Sequence, residues 1–173
     1  MTSKIDSLGR GNWLELVRDG RWEFVRRVNV TGVVAMIAIS DADEVVLVEQ
    51  LRPALGRPCI EIPAGLVGDE DAGEDMLDAA ERELEEETGY KAAHWTRLFD
   101  GAASGGLTTE IITFYLAHGL TKVGEGGGDG HEEITVHVVP LAGLAEWLDT
   151  KAAEGLAIDA KVYIVPWAAT LRS

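Results

Sequence analysis

Between Gly68 and Tyr90 the chain sets three carboxylates, Glu83, Glu86 and Glu87, at relative positions 0, 3 and 4. On an α-helix those positions share one face. Like charges so placed repel by a few tenths of a kcal/mol per pair, so something must offset them. A hard divalent cation is the natural candidate. Mg²⁺ takes oxygen ligands at about 2.0–2.1 Å, keeps several waters, and commonly bridges protein carboxylates to substrate phosphates. The spacing therefore predicts metal-assisted chemistry on a phosphorylated substrate. The bland alternative is an acidic, solvated helix face, which is what charge runs usually are. A solvated face needs neither a fixed register nor the helix-stopping Gly89.

The helix that carries these acids is predicted from about Glu74 to Thr88, with Met76, Leu77, Ala80 and Leu84 as its apolar stripe. Upstream, Asp19-Gly20 between Trp13–Val17 and Trp22–Val25 reads as a hairpin. Val30–Ile39 is nearly all apolar and reads as a strand buried on both faces, with Val45–Gln50 as its partner. Cys59–Pro63, Trp95–Asp100, Glu110–Leu116 and Thr135–Val139 read as further strands. Leu141–Lys151 and Asp159–Thr170 fit helices, and Gly124–Gly130 reads as a flexible loop. Strands, one helix, more strands and terminal helices indicate an α+β or α/β/α layered domain.

Composition narrows the functions. The chain has 173 residues and a net charge of −15. Residues 69–87 hold eleven acids against one base, Arg82, so that segment alone carries −10. Phosphate-backbone binding needs a basic footprint, which argues against nucleic acid as the main partner. No run approaches the ~18 apolar residues of a membrane span, and Met1–Asp6 lacks the apolar core of a signal peptide. The single cysteine, Cys59, lies in an apolar run and reads as buried and structural. The expected home is the cytoplasm.

The 68–90 stretch resembles the signature of the Nudix hydrolases: Gly, five residues, Glu, seven residues, Arg-Glu, a bulky apolar residue, any residue, Glu-Glu, any residue, Gly, and a bulky apolar residue. Gly68, Glu74, Arg82, Glu83, Leu84, Glu86, Glu87 and Gly89 fill the fixed positions, and Tyr90 puts an aromatic in the last one. The resemblance implies an α/β fold, the Nudix-type α/β/α sandwich with a mixed sheet, plus a small N-terminal antiparallel β arm. Leu47–Pro53, Ile60–Gly65, Ile134–Leu141 and Leu156–Tyr163 are similar to segments of the ADP-ribose and ADP-sugar pyrophosphatases within that family.

This resemblance implies a division into an arm, residues 1–31, exchanged across a homodimer, and a hydrolase domain, residues 32–173. It also implies the site. Glu83, Glu86, Glu87 and the Ala64 carbonyl would hold Mg²⁺ or Mn²⁺. Glu132 would be the general base, with the adjacent Glu133 as runner-up, and Arg82 would orient the carboxylates by ion pairing. Trp13 and Trp22 would sandwich the base of the substrate, and Arg27 and Arg52 would fork onto phosphate oxygens. Read without the resemblance, both Trp are more often packing residues, both Arg surface charges, and both loop glutamates solvated acids. The expected substrate is a nucleoside diphosphate sugar, ADP-ribose first, with GDP-mannose or a dinucleotide as alternatives. Gly105-Gly106 stands where that subfamily typically has a Pro before a Gly, in the loop that shapes the pocket for the second half of the substrate. A non-catalytic domain that binds a nucleotide and regulates is the alternative of another class.

Overall fold

The computed structural model describes residues 5–68, 73–128 and 133–172. The N-terminal part is a three-stranded antiparallel sheet of β1 (Asp6–Arg10), β2 (Leu14–Asp19) and β3 (Trp22–Arg27). Asp19 pairs with Trp22 across the expected turn, where Gly20 takes the left-handed φ of 59° that a tight hairpin demands. β1 was not predicted. Its sequence, Asp-Ser-Leu-Gly-Arg, lacks the alternation that marks a strand, and pairing with β2 is what orders it.

A mixed sheet forms the body of the domain. Its strands are β4 (Gly32–Ile39), β5 (Glu44–Arg52), β6 (Arg57–Glu61), β7 (Ala64–Val67), β8 (Tyr90–Ala102), β9 (Ile111–Lys122), β10 (Ile134–Pro140) and β11 (Ala157–Ile158). The main path runs β11-β6-β5-β4-β9-β8, with β10 paired to β5 and β7 to β4. β4 runs parallel to β9, and β11 parallel to β6; the other pairs are antiparallel. Pro63 was expected to end the strand before it and Ala64-Gly65 to be a break. Instead the chain resumes at once as β7, pairing Ala64 with Ala35.

α1 (Met76–Thr88), α2 (Leu144–Ala153) and α3 (Val165–Ala169) cover the sheet. β4 shows why two layers are needed. Val33, Ala35, Ile37 and Ile39 pack in one core with Leu144 and Leu148 of α2 and Val165 and Ala168 of α3. Val34, Met36 and Ala38 pack in the other with Ala79, Ala80 and Leu84 of α1. Alternate residues of a strand point to opposite faces, so a strand buried throughout must be covered twice. Leu84 is fully buried, and truncation to Ala there costs about 2–5 kcal/mol. The single helix predicted over 159–170 is instead a 3₁₀ stretch, Ala160–Ile164, followed by α3, whose first turn carries Pro166. A proline lacks the N–H that continuing the earlier turns would use.

Candidate functional site

α1 starts at Asp75, whose side chain accepts a hydrogen bond from Leu77 N, and stops at Gly89 in the left-handed conformation, φ 71°. The start is one turn-edge later than predicted because Asp75, not Glu74, caps it. Between these caps, the stripe of Ala80 and Leu84 docks on the sheet and turns Glu83, Glu86 and Glu87 toward the β6–β7 connection. There they line a cleft of about 460 Å³ together with Ala64, Gly65 and Arg82.

Each acid has identifiable partners. Arg82 Nη1 donates to Glu83 Oε1 at 3.0 Å and to Glu86 Oε2 at 3.1 Å. Its Nε and Nη2 clamp Glu74 at 2.9 and 3.1 Å, and Nη2 also reaches the Leu66 carbonyl at 3.2 Å. Glu74 in turn accepts from Gly68 N at 3.2 Å. The Arg82 guanidinium, with that backbone N–H, holds the Glu74 carboxyl below its usual range, and Glu74 pushes the Arg82 pKa up. Glu87, 3 % exposed, accepts from Ala64 N at 3.1 Å. So part of the like-charge repulsion within α1 is met by Arg82.

The donor chemistry of this wall fits a hard divalent cation: three carboxylates around one cleft, with the Ala64 backbone beside them. Gly65 makes room for it. A Cβ on Gly65 would stand 1.9 Å from the Glu83 carboxyl carbon, so only glycine leaves Glu83 where it is. Among the described residues no three acidic, His or Cys side chains converge tightly enough to enclose an ion as they stand. Glu83 and Glu86 share the Arg82 guanidinium instead.

The rest of the cleft carries three cations, two of them paired with acids that also line it. Arg27 and Arg52 both line it. Arg52 Nε and Nη2 meet the two oxygens of Glu61 at 2.6 and 2.8 Å, a fork on a buried acid. Arg27 is ion-paired with Glu110. Lys161 completes the lining, held by Asp159 Oδ2 at 2.5 Å. Glu61, Glu110 and Lys161 were not singled out in the sequence. Glu61 did carry a signal: a carboxylate within Cys59-Ile60-Glu61-Ile62 has to be paired if it is buried. β11 pairs with β6, and Asp159 N donates to Ile60 O at 2.9 Å, which brings Lys161 to the cleft. Cys59 is buried beside this group; desolvation first, then Glu61 and Asp159, push its thiol up to about 11.

The structure does not bring Trp13 and Trp22 into the cleft. They are 66 % and 62 % exposed. Trp22 lines a separate cavity with Phe24, Gly105, Gly106 and Thr108, so the glycine pair lies against the N-terminal sheet. Val25 N donates to Leu107 O at 2.8 Å and Thr109 N to Val25 O at 3.1 Å, which fastens that loop to β3. Glu133 is exposed and lines an open hollow with Glu49 and Gln50, and Gln50 also borders the main cleft. Glu132 lies outside the described residues, as does His131.

The model of the NUDIX domain matches residues 30–161. The chain belongs to the Nudix family. The methanol dehydrogenase activator of Bacillus methanolicus is 43 % identical over 102 residues, 59 % of this chain and 54 % of that protein. The ADP-ribose pyrophosphatase of Bacillus subtilis (strain 168) is 39 % identical over 94 residues, 54 % of this chain and 49 % of that protein. The chain thus spans about half the length of these curated relatives. The crystal structure of an ADP compounds hydrolase shares the fold, with a TM-score of 0.66 at 21 % identity, covering 84 % of this chain and 80 % of that one. No helix of this Nudix domain, among the described residues, is long and apolar enough to cross a membrane.

Proposed function

We propose that this Nudix domain hydrolyses the pyrophosphate bond of a nucleoside diphosphate sugar, ADP-ribose first, releasing AMP and ribose 5-phosphate. One observation carries the reading: a single cleft sets the α1 carboxylates against Arg27, Arg52 and Lys161. Acids able to take a cation on one side, and on the other guanidinium groups held in place by Glu61 and Glu110, suit a P–O–P bridge. The similarity to an ADP-ribose pyrophosphatase supports the choice of substrate class.

Glu83, Glu86, Glu87 and the Ala64 carbonyl would hold Mg²⁺ or Mn²⁺, which when bound neutralises phosphate charge and lowers the pKa of a coordinated water. The side chains do the rest. Glu61 fixes the plane of Arg52, so the guanidinium meets phosphate oxygens without first being ordered. Arg82 keeps Glu83 and Glu86 in register through its shared Nη1. Glu132 accepts the proton of the attacking water, with Glu133 as the alternative. The water oxygen joins one phosphorus, and the bridging oxygen leaves on the other phosphate. Residues 1–31 form an arm exchanged in a homodimer, bringing Trp13 and Trp22 to the base. A cytoplasmic home suits the buried, unpaired Cys59.

The test is turnover of ADP-ribose, other ADP-sugars, GDP-mannose and dinucleotides with Mg²⁺ or Mn²⁺, comparing Glu132→Gln with Glu133→Gln. Loss of a general base lowers kcat by ~10²–10⁴-fold with little change in KM. Silence of the wild type on every compound rejects the reading. Normal turnover by both variants rejects the base assignment.

A further inference from the structure

An α-helix leaves its last four carbonyls without intrahelical partners. In α1 those carbonyls belong to the turn that carries Glu86 and Glu87, and a neighbouring segment takes most of them. Gly89 N closes on Glu85 O at 2.8 Å. Gly128 N then donates to Glu86 O at 3.0 Å, and Gly127 N to Glu87 O at 2.9 Å. Lys122 Nζ donates to Thr88 O at 2.9 Å. Val123 N and Gly124 N both reach Gly89 O, at 2.8 and 3.1 Å. Residues 122–128 are therefore a strap hydrogen-bonded along the helix end. Up to Gly128, the stretch read from sequence as a flexible glycine loop is docked.

The glycines make the docking possible. Gly126, Gly127 and Gly128 sit at φ 72°, 110° and 87°, where other residues are strained. A Cβ on Gly126 would stand 2.4 Å from the Thr88 carbonyl carbon. A Cβ on Gly89 would stand 2.2 Å from the Gly124 oxygen. Two backbones touch here with no room for a side chain. Lys122 secures the join: its ammonium also lies 4.7 Å from the centre of the Tyr90 ring and 3.4 Å from Glu125 O. Gly128 at the far end lines the catalytic cleft. The strap thus ties the rim of the cleft to the turn that bears its acids.

We propose that Lys122 and Gly126 are positioning residues that hold the Glu86–Glu87 turn in its cation-binding arrangement. The inference rests on the reading of those carboxylates as metal ligands. Helix ends fray, and a fraying turn would scatter two of the three carboxylates. Closing its carbonyls onto a strap removes that freedom before the cation arrives.

Three variants test it. Lys122→Met keeps the stem and deletes the donors, Lys122→Arg keeps a donor, and Gly126→Ala pushes the strap off the helix. Mn²⁺ binding is measured by calorimetry, amide exchange at Gly127 and Gly128 by NMR, and the Mg²⁺ dependence of turnover alongside. Lys122→Met is expected to weaken Mn²⁺ and speed both amides about tenfold, the scale of one hydrogen bond from a charged donor. It should raise the Mg²⁺ midpoint equally, with KM at saturating Mg²⁺ unchanged. Lys122→Arg should restore most of this, and Gly126→Ala should exceed Lys122→Met. Faster exchange with unchanged Mn²⁺ affinity overturns the proposal, because the strap would then be merely structural. So does a wild type that binds no Mn²⁺, or a loss of Mn²⁺ binding that only tracks the unfolded fraction. A wild type that binds Mn²⁺ but cleaves no nucleoside diphosphate compound defeats the substrate reading alone, and the exchange and calorimetry still judge the strap.

Discussion

In α1 the acid Glu87 is turned inward, and in β2 so is Glu15, 5 % exposed beside the fully buried Val17. The two elements then diverge. α1 meets Glu87 with the Ala64 N–H and its neighbours Glu83 and Glu86 with Arg82, while Ala80 and Leu84 of its apolar stripe are fully buried against the sheet. β2 answers Glu15 with Arg26 Nε at 2.8 Å, but leaves Leu14 and Leu16, on its other face, 47 % and 40 % exposed. Contiguous exposed apolar surface marks an interaction site more often than chance. The acidic wall of the cleft is built from side chains of this chain alone. The N-terminal sheet leaves Leu14 and Leu16 exposed, which is the face on which the proposed arm exchange is tested.

The largest effect should come from breaking the self-contained side. Gly65→Ala pushes the Glu83 carboxyl aside, and because that group ends a flexible side chain, the fold should survive. A rate loss of ~10²–10³-fold is expected, the scale of one removed electrostatic stabiliser. Glu83→Gln should match it, and the double variant should be no worse than either, since both disable the same group. Circular dichroism checks the fold. A Gly65→Ala enzyme with near-normal turnover would show that Glu83 needs no fixed place.

The contrast also explains what could be read without coordinates. α1 was legible because its acids, apolar stripe and Gly89 stop all lie within one short window. β4 was legible because an unbroken apolar run has few homes other than a doubly covered strand. β7 was hidden because Pro63-Ala64-Gly65 has the chemistry of a turn, and only its pairing with β4 makes it extended. Glu110 was hidden because its partner, Arg27, lies 83 residues away. Lys161 was hidden for the same reason: the β11–β6 pairing, not local sequence, delivers it. The acidic helix is written in one local window, while Arg27, Arg52 and Lys161 reach the cleft only through topology.

On the N-terminal side the expected effect is smaller and of another kind. Trp22→Ala should raise KM about tenfold with kcat nearly kept, as when a stacking contact worth ~1–3 kcal/mol binds ground and transition states alike. Unchanged KM would make Trp22 a packing residue and remove the arm from the site. Leu16→Lys asks the complementary question, since a charge in a dimer interface should shift the sedimenting species toward monomer. A wild type that sediments as a monomer at every concentration would sink the exchange proposal.

The smallest effect separates Glu74 from Glu15 by pH. Glu74, which holds the Arg82 side of α1, has its pKa lowered by the Arg82 hydrogen bond, and Glu15 has its pKa lowered by hydrogen bonds from Ser7 and Arg26. A carboxyl with a depressed folded pKa adds stability above its unfolded pKa, about 4.3 for Glu. That stability disappears as pH falls through the folded value. Wild type should therefore exceed Glu74→Gln in urea midpoint by a constant margin from pH 7 to about 5, and the gap should close only below about 4. Glu15→Gln should follow the same curve. Activity tells them apart: Glu74→Gln loosens Arg82 and with it Glu83 and Glu86, so its Mg²⁺ requirement should rise, while that of Glu15→Gln should not. If both variants shift the Mg²⁺ midpoint alike, the N-terminal sheet and the catalytic helix are coupled, and the self-contained character assigned to α1 is wrong.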